Sequence, residues 1–420
     1  MSLLSSRVIS RRAGLLAMVI AMMLPRALPG HAHAIDGVVL SRPQARARAM
    51  ALSALGRDLF HDRHLSASGQ MACSSCHADG QAYAQANALS VQPGGHRAVP
   101  SLKYLQDVPQ FTEHFFDSDD EADESIDNGP TGGLTWDGRV DTAQAQARVP
   151  LLAPYEMANA SPADVVSHAL AAGYGQRIDA LLFSAPNMET RFTLIAEALA
   201  TYQQEERLFY PYTSKYDAVL AGRAKLTARE SLGLRLFEQP DKGNCASCHV
   251  SAPGDDGTPP QFTDYGLIAL GVPRNMQITL NHDPNYFDMG LCGPDRTDLT
   301  NHPEYCGLFR TPSLRNVATR RVFFHNGMMH SLRQAVAFYV LRDIRPQMWY
   351  PKAPDGTVRK YDDLPARYHA NINMDPPFGP QPGNRPVLSD DEIDAIVAFL
   401  KTLTDGYATP GTYRSHGSAP

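Results

Sequence analysis

Cys73-Ser74-Ser75-Cys76-His77 recurs in the second half of the chain as Cys245-Ala246-Ser247-Cys248-His249. Paired thiols followed at once by an imidazole are the attachment signature of c-type haem. Each cysteine pair reaches the two vinyl groups of one porphyrin as thioethers, and the adjoining His77 or His249 supplies a proximal iron ligand. Two covalently bound haem c groups are therefore expected. A four-cysteine zinc ribbon competes with this reading, but it wants its second pair roughly 15–20 residues after the first. A redox Cys-x-x-Cys pair wants a strand–helix setting that neither motif has.

The surroundings of the two motifs repeat as well. Gly56-Arg57-Asp58-Leu59-Phe60 precedes the first and Gly233-Leu234-Arg235-Leu236-Phe237 the second, while Pro100-Ser101-Leu102 and Pro312-Ser313-Leu314 follow them. Each copy then has an aromatic beside a glycine turn, Trp136-Asp137-Gly138 and Phe324-His325-Asn326-Gly327. Such self-similarity predicts two units of one design. The expected fold is mainly α: two cytochrome-c-like helical domains, each with one covalently bound c-type haem, joined by long irregular loops.

Aligning the copies on Gly138 and Gly327 places helix N-caps at the same offset, Thr142 and Ser331, with Ser331 to Gln334 reading as a capping box. Twelve residues after the first glycine stands Pro150, and twelve after the second stands Tyr339. Leu332, Val336 and Tyr339 share a helix face, which carries Tyr339 toward its haem. A phenolate ligates ferric iron, whereas proline has no donor atom. One iron is then closed and the other left open. Two alternatives stand beside this: a core tyrosine satisfied elsewhere, or Met328, Met329 or Met348 as the sixth ligand.

Helix signals support the frame. Leu52, Leu55 and Leu59 line one face, Thr227 and Glu230 form a capping box, and Ser389 with Glu392 opens a last helix striped by Ile393, Ile396, Val397, Leu400 and Leu403. Asp117 to Asp127 reads as an acidic solvated loop, which would alternatively steer a basic electron donor. Pro346 to Pro386 reads as an ordered excursion or lid of irregular backbone.

Composition sets the compartment. Arg7, Arg11 and Arg12 precede an apolar run from Leu15 to Leu24, and Ala32-His33-Ala34 offers a small-x-small cleavage site. Residues 1–34 read as a signal peptide, and no later segment approaches the roughly 18 apolar residues of a membrane span. A periplasmic protein is expected. The net charge of −6 advertises no basic face for nucleic acid. Beyond the haem motifs, six cysteines leave Cys292 and Cys306, which an oxidising compartment pairs as a disulfide. The domains divide as 35–222 and 223–410, with a flexible tail at 411–420.

These motifs, with Trp136-Asp137-Gly138-Arg139, Pro154-Tyr155-Glu156-Met157 and Arg310-Thr311-Pro312-Ser313-Leu314-Arg315-Asn316, resemble the bacterial di-haem cytochrome c peroxidase family, and within it the MauG-like branch. The match runs from Gly56 to about Leu403. The resemblance implies that the N-terminal haem is peroxidatic and the C-terminal one transfers electrons. It implies that Glu156 is the acid–base residue beside bound hydrogen peroxide, that Gln146 and Pro150 line the same pocket, and that Trp136 lies between the haems. Other members carry methionine where this chain has Tyr339, and the MauG-like branch carries tyrosine.

The resemblance also raises calcium between the domains, but Ala98, Arg320 and Val322 stand where oxygen ligands would be needed, which argues against a hard-cation site. A distal histidine found in other members has His96 as its nearest candidate, in a poor context. The implied activity is a periplasmic peroxidase that reduces hydrogen peroxide with electrons from a cytochrome c, a cupredoxin or a protein substrate. Alternatives are a MauG-like protein-modifying oxidase and a non-catalytic di-haem electron-transfer cytochrome.

Overall fold

Helices dominate the architecture because the apolar stripes read above are each matched by a partner stripe. The computed structural model describes residues 39–85, 94–116, 127–254, 256–380 and 385–408. The expected signal peptide, the body of the acidic loop and the tail from 411 lie outside them. Eleven helices are described: α1 (Arg42–His61), α2 (Cys73–Cys76), α3 (Ala143–Leu152), α4 (Pro162–Ala171), α5 (Gly175–Asp179), α6 (Met188–Tyr202), α7 (Glu206–Phe209), α8 (Lys215–Leu220), α9 (Ala228–Glu238), α10 (Leu332–Leu341) and α11 (Asp390–Lys401). Two ribbons of two-residue strands complete the regular structure, antiparallel β1 (His77–Ala78) with β2 (Ala84–Gln85), and β3 (Leu267–Ile268) with β4 (Phe309–Arg310).

Leu52, Leu55 and Leu59 of α1 are buried in one apolar cluster with Ile195 and Leu199 of α6. Leu236 and Phe237 of α9 are buried in a second with Ile393, Ile396 and Leu400 of α11 and Phe338 of α10. The second cluster also takes Tyr216 of α8. A smaller third cluster gathers Leu267, Leu291, Leu308 and Leu364.

The repeat extends to the helix crossings. A Cβ built on Gly56 would lie 1.9 Å from the Ala198 carbonyl oxygen, and one on Gly233 would lie 2.0 Å from that of Ala395. Both glycines are the points where one helix backbone rests on another, so a motif read only as self-similar is a packing requirement.

Helix starts follow the sequence with one exception. Thr142, Thr227 and Ser389 cap their helices through the side-chain oxygen, and Glu230 and Glu392 close the boxes at Thr227 and Ser389. Ser331 accepts from the Gln334 N–H, but Gln334 Oε1 accepts from the His330 N–H, one residue early. The expected capping box at Ser331 is therefore a single cap. Its glutamine satisfies the backbone donor just outside the helix instead.

The described part of the excursion, 346–380, is built of short 3-10 turns, Pro346–Met348 and Ala366–Asn371. Tyr350 donates to the Gly271 carbonyl at 2.5 Å, and Ile372 bridges to Ala269. It is an ordered cover over the C-terminal half. Gly233→Ala should destabilise the protein by about 1–3 kcal/mol, the cost of overpacking a close helix crossing. Urea denaturation of the haem-loaded protein checks this, and an unchanged midpoint would show that α9 can shift freely.

Candidate active site

Both motif histidines are oriented by the same local device. His77 Nδ1 lies 2.9 Å from the Tyr83 carbonyl oxygen, and His249 Nδ1 lies 2.9 Å from that of Phe262. Tyr83 and Phe262 sit in the left-handed region, at φ 51° and 55°, a conformation that is uncommon for bulky residues. The same two carbonyls accept from the Leu102 and Leu314 N–H groups at 3.2 and 3.3 Å. Ser101 and Ser313 brace the loops by donating to the Ala82 and Gln261 carbonyls at 2.7 and 2.6 Å. A carbonyl on Nδ1 requires the proton there, leaving the Nε2 lone pair for iron. Burial holds both imidazoles down at about 4, so they are neutral.

A cavity of about 1020 Å³ opens beside the second motif, lined by Cys245, Cys248 and His249 and, on α10, by Leu332, Val336 and Tyr339. Tyr339 stacks on Phe378 at 5.2 Å between ring centres, and burial raises its phenol well above the ordinary value. Among the described residues its hydroxyl makes no hydrogen bond to protein. Met328 and Met329 pack with the second core cluster and Met348 is 55% exposed; none of the three lines the cavity.

Arg310 and Arg320 also line the cavity, and burial pushes each guanidinium down to about 10. Neither forms an ion pair with a carboxylate among the described residues. Unpaired buried cations fit a ligand carrying carboxylates. Large volume, apolar walls, a fixed imidazole and stranded guanidinium groups together suit a haem.

On the other side, α3 carries Gln146 and Pro150 one turn apart. The chain turns back so that Met157 N–H donates to the Pro150 carbonyl at 3.0 Å, bringing Glu156 under the end of α3. Burial pushes the Glu156 carboxyl up to about 7, against the pull of Arg139 and with the push of Asp295. The Glu156 carboxylate lies within electrostatic reach of Cys73 in the first haem motif.

Trp136 joins the halves. Its Nε1 donates to the Ala98 carbonyl at 2.7 Å, and its own carbonyl accepts from the Arg310 N–H at 2.8 Å. Ala98 N–H in turn donates to His325 O at 2.6 Å. Trp136 also lines the cavity beside the second motif. Cys292 and Cys306 form the expected disulfide.

Sequence reading missed a buried charge cluster. Arg97 donates to Asp288 through Nε (2.6 Å) and Nη2 (2.7 Å) and to Asp137 through Nη1 (2.6 Å). Arg139 also pairs with Asp137, at 2.9 Å. Only Asp137 and Arg139 lay in a quoted motif, and no role was read for them.

The family model described as di-haem cytochrome c peroxidase matches residues 50–225. Over 383 residues the chain is 31% identical to the methylamine utilization protein MauG of Paracoccus denitrificans, covering 86% of this chain and 90% of that protein. The chain belongs to the di-haem cytochrome c peroxidase family, in its MauG-like branch. As a family member it is an oxidoreductase of the peroxidase type that uses haem. Cytochrome c peroxidase Ccp of Escherichia coli is 28% identical over 372 residues, 85% of this chain and 58% of that longer protein. The di-haem peroxidase BthA of Burkholderia thailandensis superposes with a TM-score of 0.72 at 36% identity, over 84% of this chain and 86% of that one.

The calcium raised by this family does not fit the residues present. The Ala98 carbonyl is taken by Trp136, and the Val99 carbonyl accepts from Arg320 Nη2 at 3.3 Å. A buried guanidinium there repels a second cation.

The bracing serine generates a prediction. Ser313→Ala should cost about 1 kcal/mol, the net worth of one hydrogen bond. By loosening the carbonyl on His249 it should weaken that ligand's basicity and raise the potential of the second haem, leaving the first unchanged. Potentiometric titration followed by spectroscopy would show this, and equal shifts at both haems would contradict it.

Proposed function

We propose that the protein is a periplasmic di-haem c-type peroxidase, in which hydrogen peroxide is reduced at the N-terminal site with electrons relayed through the C-terminal one. The observation that carries this is the difference between the two sites. The position on α10 facing the second cavity holds Tyr339, a buried phenol with no protein partner for its hydroxyl among the described residues. Its counterpart on α3 is Pro150, which has nothing to donate to a metal and is followed closely by Glu156. The paired cysteines with His77 or His249 would hold each haem, whose iron would supply oxygen-ligand binding and electron exchange.

The side chains then divide the work. Glu156, ionised, takes a proton from one peroxide oxygen and returns it to the other, which departs as water. Gln146, one turn before Pro150, offers an amide that orients the peroxide. Trp136 lines the path between the sites and is locked by its bond to Ala98. No helix among the described residues is long and apolar enough to cross a membrane, and an export signal with two haem-attachment motifs supports a periplasmic setting. The donor is a small cytochrome c or a cupredoxin.

A protein substrate oxidised in place of such a donor is the second reading. It is favoured by the likeness to MauG of Paracoccus denitrificans and by the tyrosine on α10. Peroxide turnover with reduced cytochrome c as donor separates the two. Rapid donor oxidation supports the peroxidase, and peroxide-driven spectral change without donor oxidation supports the protein-oxidising reading.

Glu156→Gln should keep both haems bound yet slow peroxide consumption by roughly 10²–10⁴-fold, the range for a lost acid–base group. In the parent protein kcat/KM for peroxide should rise with pH through about 7, where burial has placed the Glu156 carboxyl, since only the ionised form accepts the proton. The variant should lose that inflection. The sign for stability is opposite: between 4.5, its ordinary value, and about 7 the unfolded chain has released this proton and the native chain has not. Stability therefore falls with rising pH in that window. Tyr339→Phe should abolish the low-spin signal of the second haem in EPR and raise its potential, because an anionic oxygen ligand favours the ferric state. An unchanged signal would make Tyr339 a core residue.

A further inference from the structure

His96 is 5% exposed and sits inside the charge cluster. Its Nε2 lies 3.4 Å from Asp295 Oδ2 and 3.7 Å from Asp288 Oδ2. The rings of Tyr155 and Tyr286 meet it edge-on at 5.6 and 6.1 Å. Among the described residues neither ring nitrogen completes a hydrogen bond of good geometry. The contact that Nε2 makes is electrostatic, with the Asp295 carboxylate that it helps to keep ionised. Glu156 lies within electrostatic reach of His96, Asp295 and Arg139.

Charge arithmetic gives the imidazole a purpose. The groups around it are Arg97 and Arg139 against Asp137, Asp288 and Asp295, two positive charges against three negative. Although burial opposes it, Arg97 holds Asp137 and Asp288 below the usual carboxylate range, with Arg139 helping at Asp137, and Asp295 is held there by His96 first and then by the two arginines. The remaining neighbours do not alter the balance. Tyr155, Tyr286 and His325 are neutral, their phenols pushed up and the imidazole pushed down by burial. Arg296 is matched by Asp298, and Arg274 pairs with Asp363, whose carboxyl burial pushes up to about 7. The cluster is thus one charge negative before His96 and Glu156 are counted. Passing a proton from one to the other leaves the net buried charge unchanged.

We propose that His96 is the proton reservoir of Glu156, a positioning residue that acts through that carboxylate and never touches peroxide. The inference rests on the peroxidase reading above. The overall reaction is H2O2 + 2 H⁺ + 2 e⁻ → 2 H2O, with electrons from a reduced one-electron donor protein and protons from solvent. Cleavage of the O–O bond needs no outside proton, because Glu156 takes one from the first oxygen and gives it to the second. The first oxygen leaves as water only after two electrons and two protons arrive. His96 supplies those protons to Glu156 and is itself recharged from solvent beside Asp295.

The test is a split between phases in His96→Gln, with His96→Asn as a second variant and haem spectra and thermal melts confirming folding. Stopped-flow mixing with peroxide and no donor should show cleavage within a few-fold of the parent. Steady turnover with reduced cytochrome c should fall roughly 10–100-fold, the scale for a lost supporting residue, with its pH profile displaced and with added imidazole restoring rate. Equal slowing of both phases, or unchanged donor turnover and pH profile, would overturn the proposal. A parent protein that consumes no peroxide would overturn the peroxidase reading itself.

Discussion

A backbone carbonyl resting on the inner nitrogen of each motif histidine is the interaction on which the remaining structure depends. At Tyr83 and Phe262 that carbonyl is presented by a left-handed residue, which is stable only because the following Pro-Ser-Leu segment holds it from both sides. The serine grips the preceding carbonyl and the leucine N–H shares the oxygen. The segment that positions each imidazole also starts the route to the other half. Ala98, two residues before Pro100, bonds Trp136 through its carbonyl and His325 through its N–H. Ligand orientation and the junction between halves therefore belong to one continuous stretch of backbone.

On this common frame the two copies diverge in what faces the open side of the histidine. The second copy builds a walled cavity from α10 and the cover at 346–380, with Phe378 stacked on Tyr339. The first ends α3 at a turn that presents Glu156, and surrounds it with charge. Apolar walls suit an electron carrier whose ligands stay fixed. A carboxylate balanced between buried arginines and aspartates suits a site that must handle protons. The Arg97 bonds to Asp137 and Asp288 link this charge to both halves, so the charged region is also a structural joint.

Much of this was legible because it is written locally. The haem motifs, the N-caps at Thr142, Thr227 and Ser389, and the stripe on α11 all depend on residues within a turn or two. The repeat made Tyr339 and Pro150 comparable, and the tyrosine does face the cavity. What the sequence did not disclose depends on distant partners. Arg97 meets Asp288 across 191 positions, and no spacing rule connects them. Gly56 and Gly233 were visible as a repeat, yet the carbonyls of Ala198 and Ala395 that forbid any side chain there were not. At Ser331 a correct local rule chose the wrong donor for Gln334, since His330 offered a competing N–H.

The central claim is that one iron is open and the other is closed by the chain. Cyanide titration of the oxidised protein, followed by EPR and optical spectra, measures this directly. The account predicts one cyanide bound per chain, converting a single high-spin haem while the other low-spin signal stays unchanged. Two cyanides bound with equal ease, or none, would contradict it.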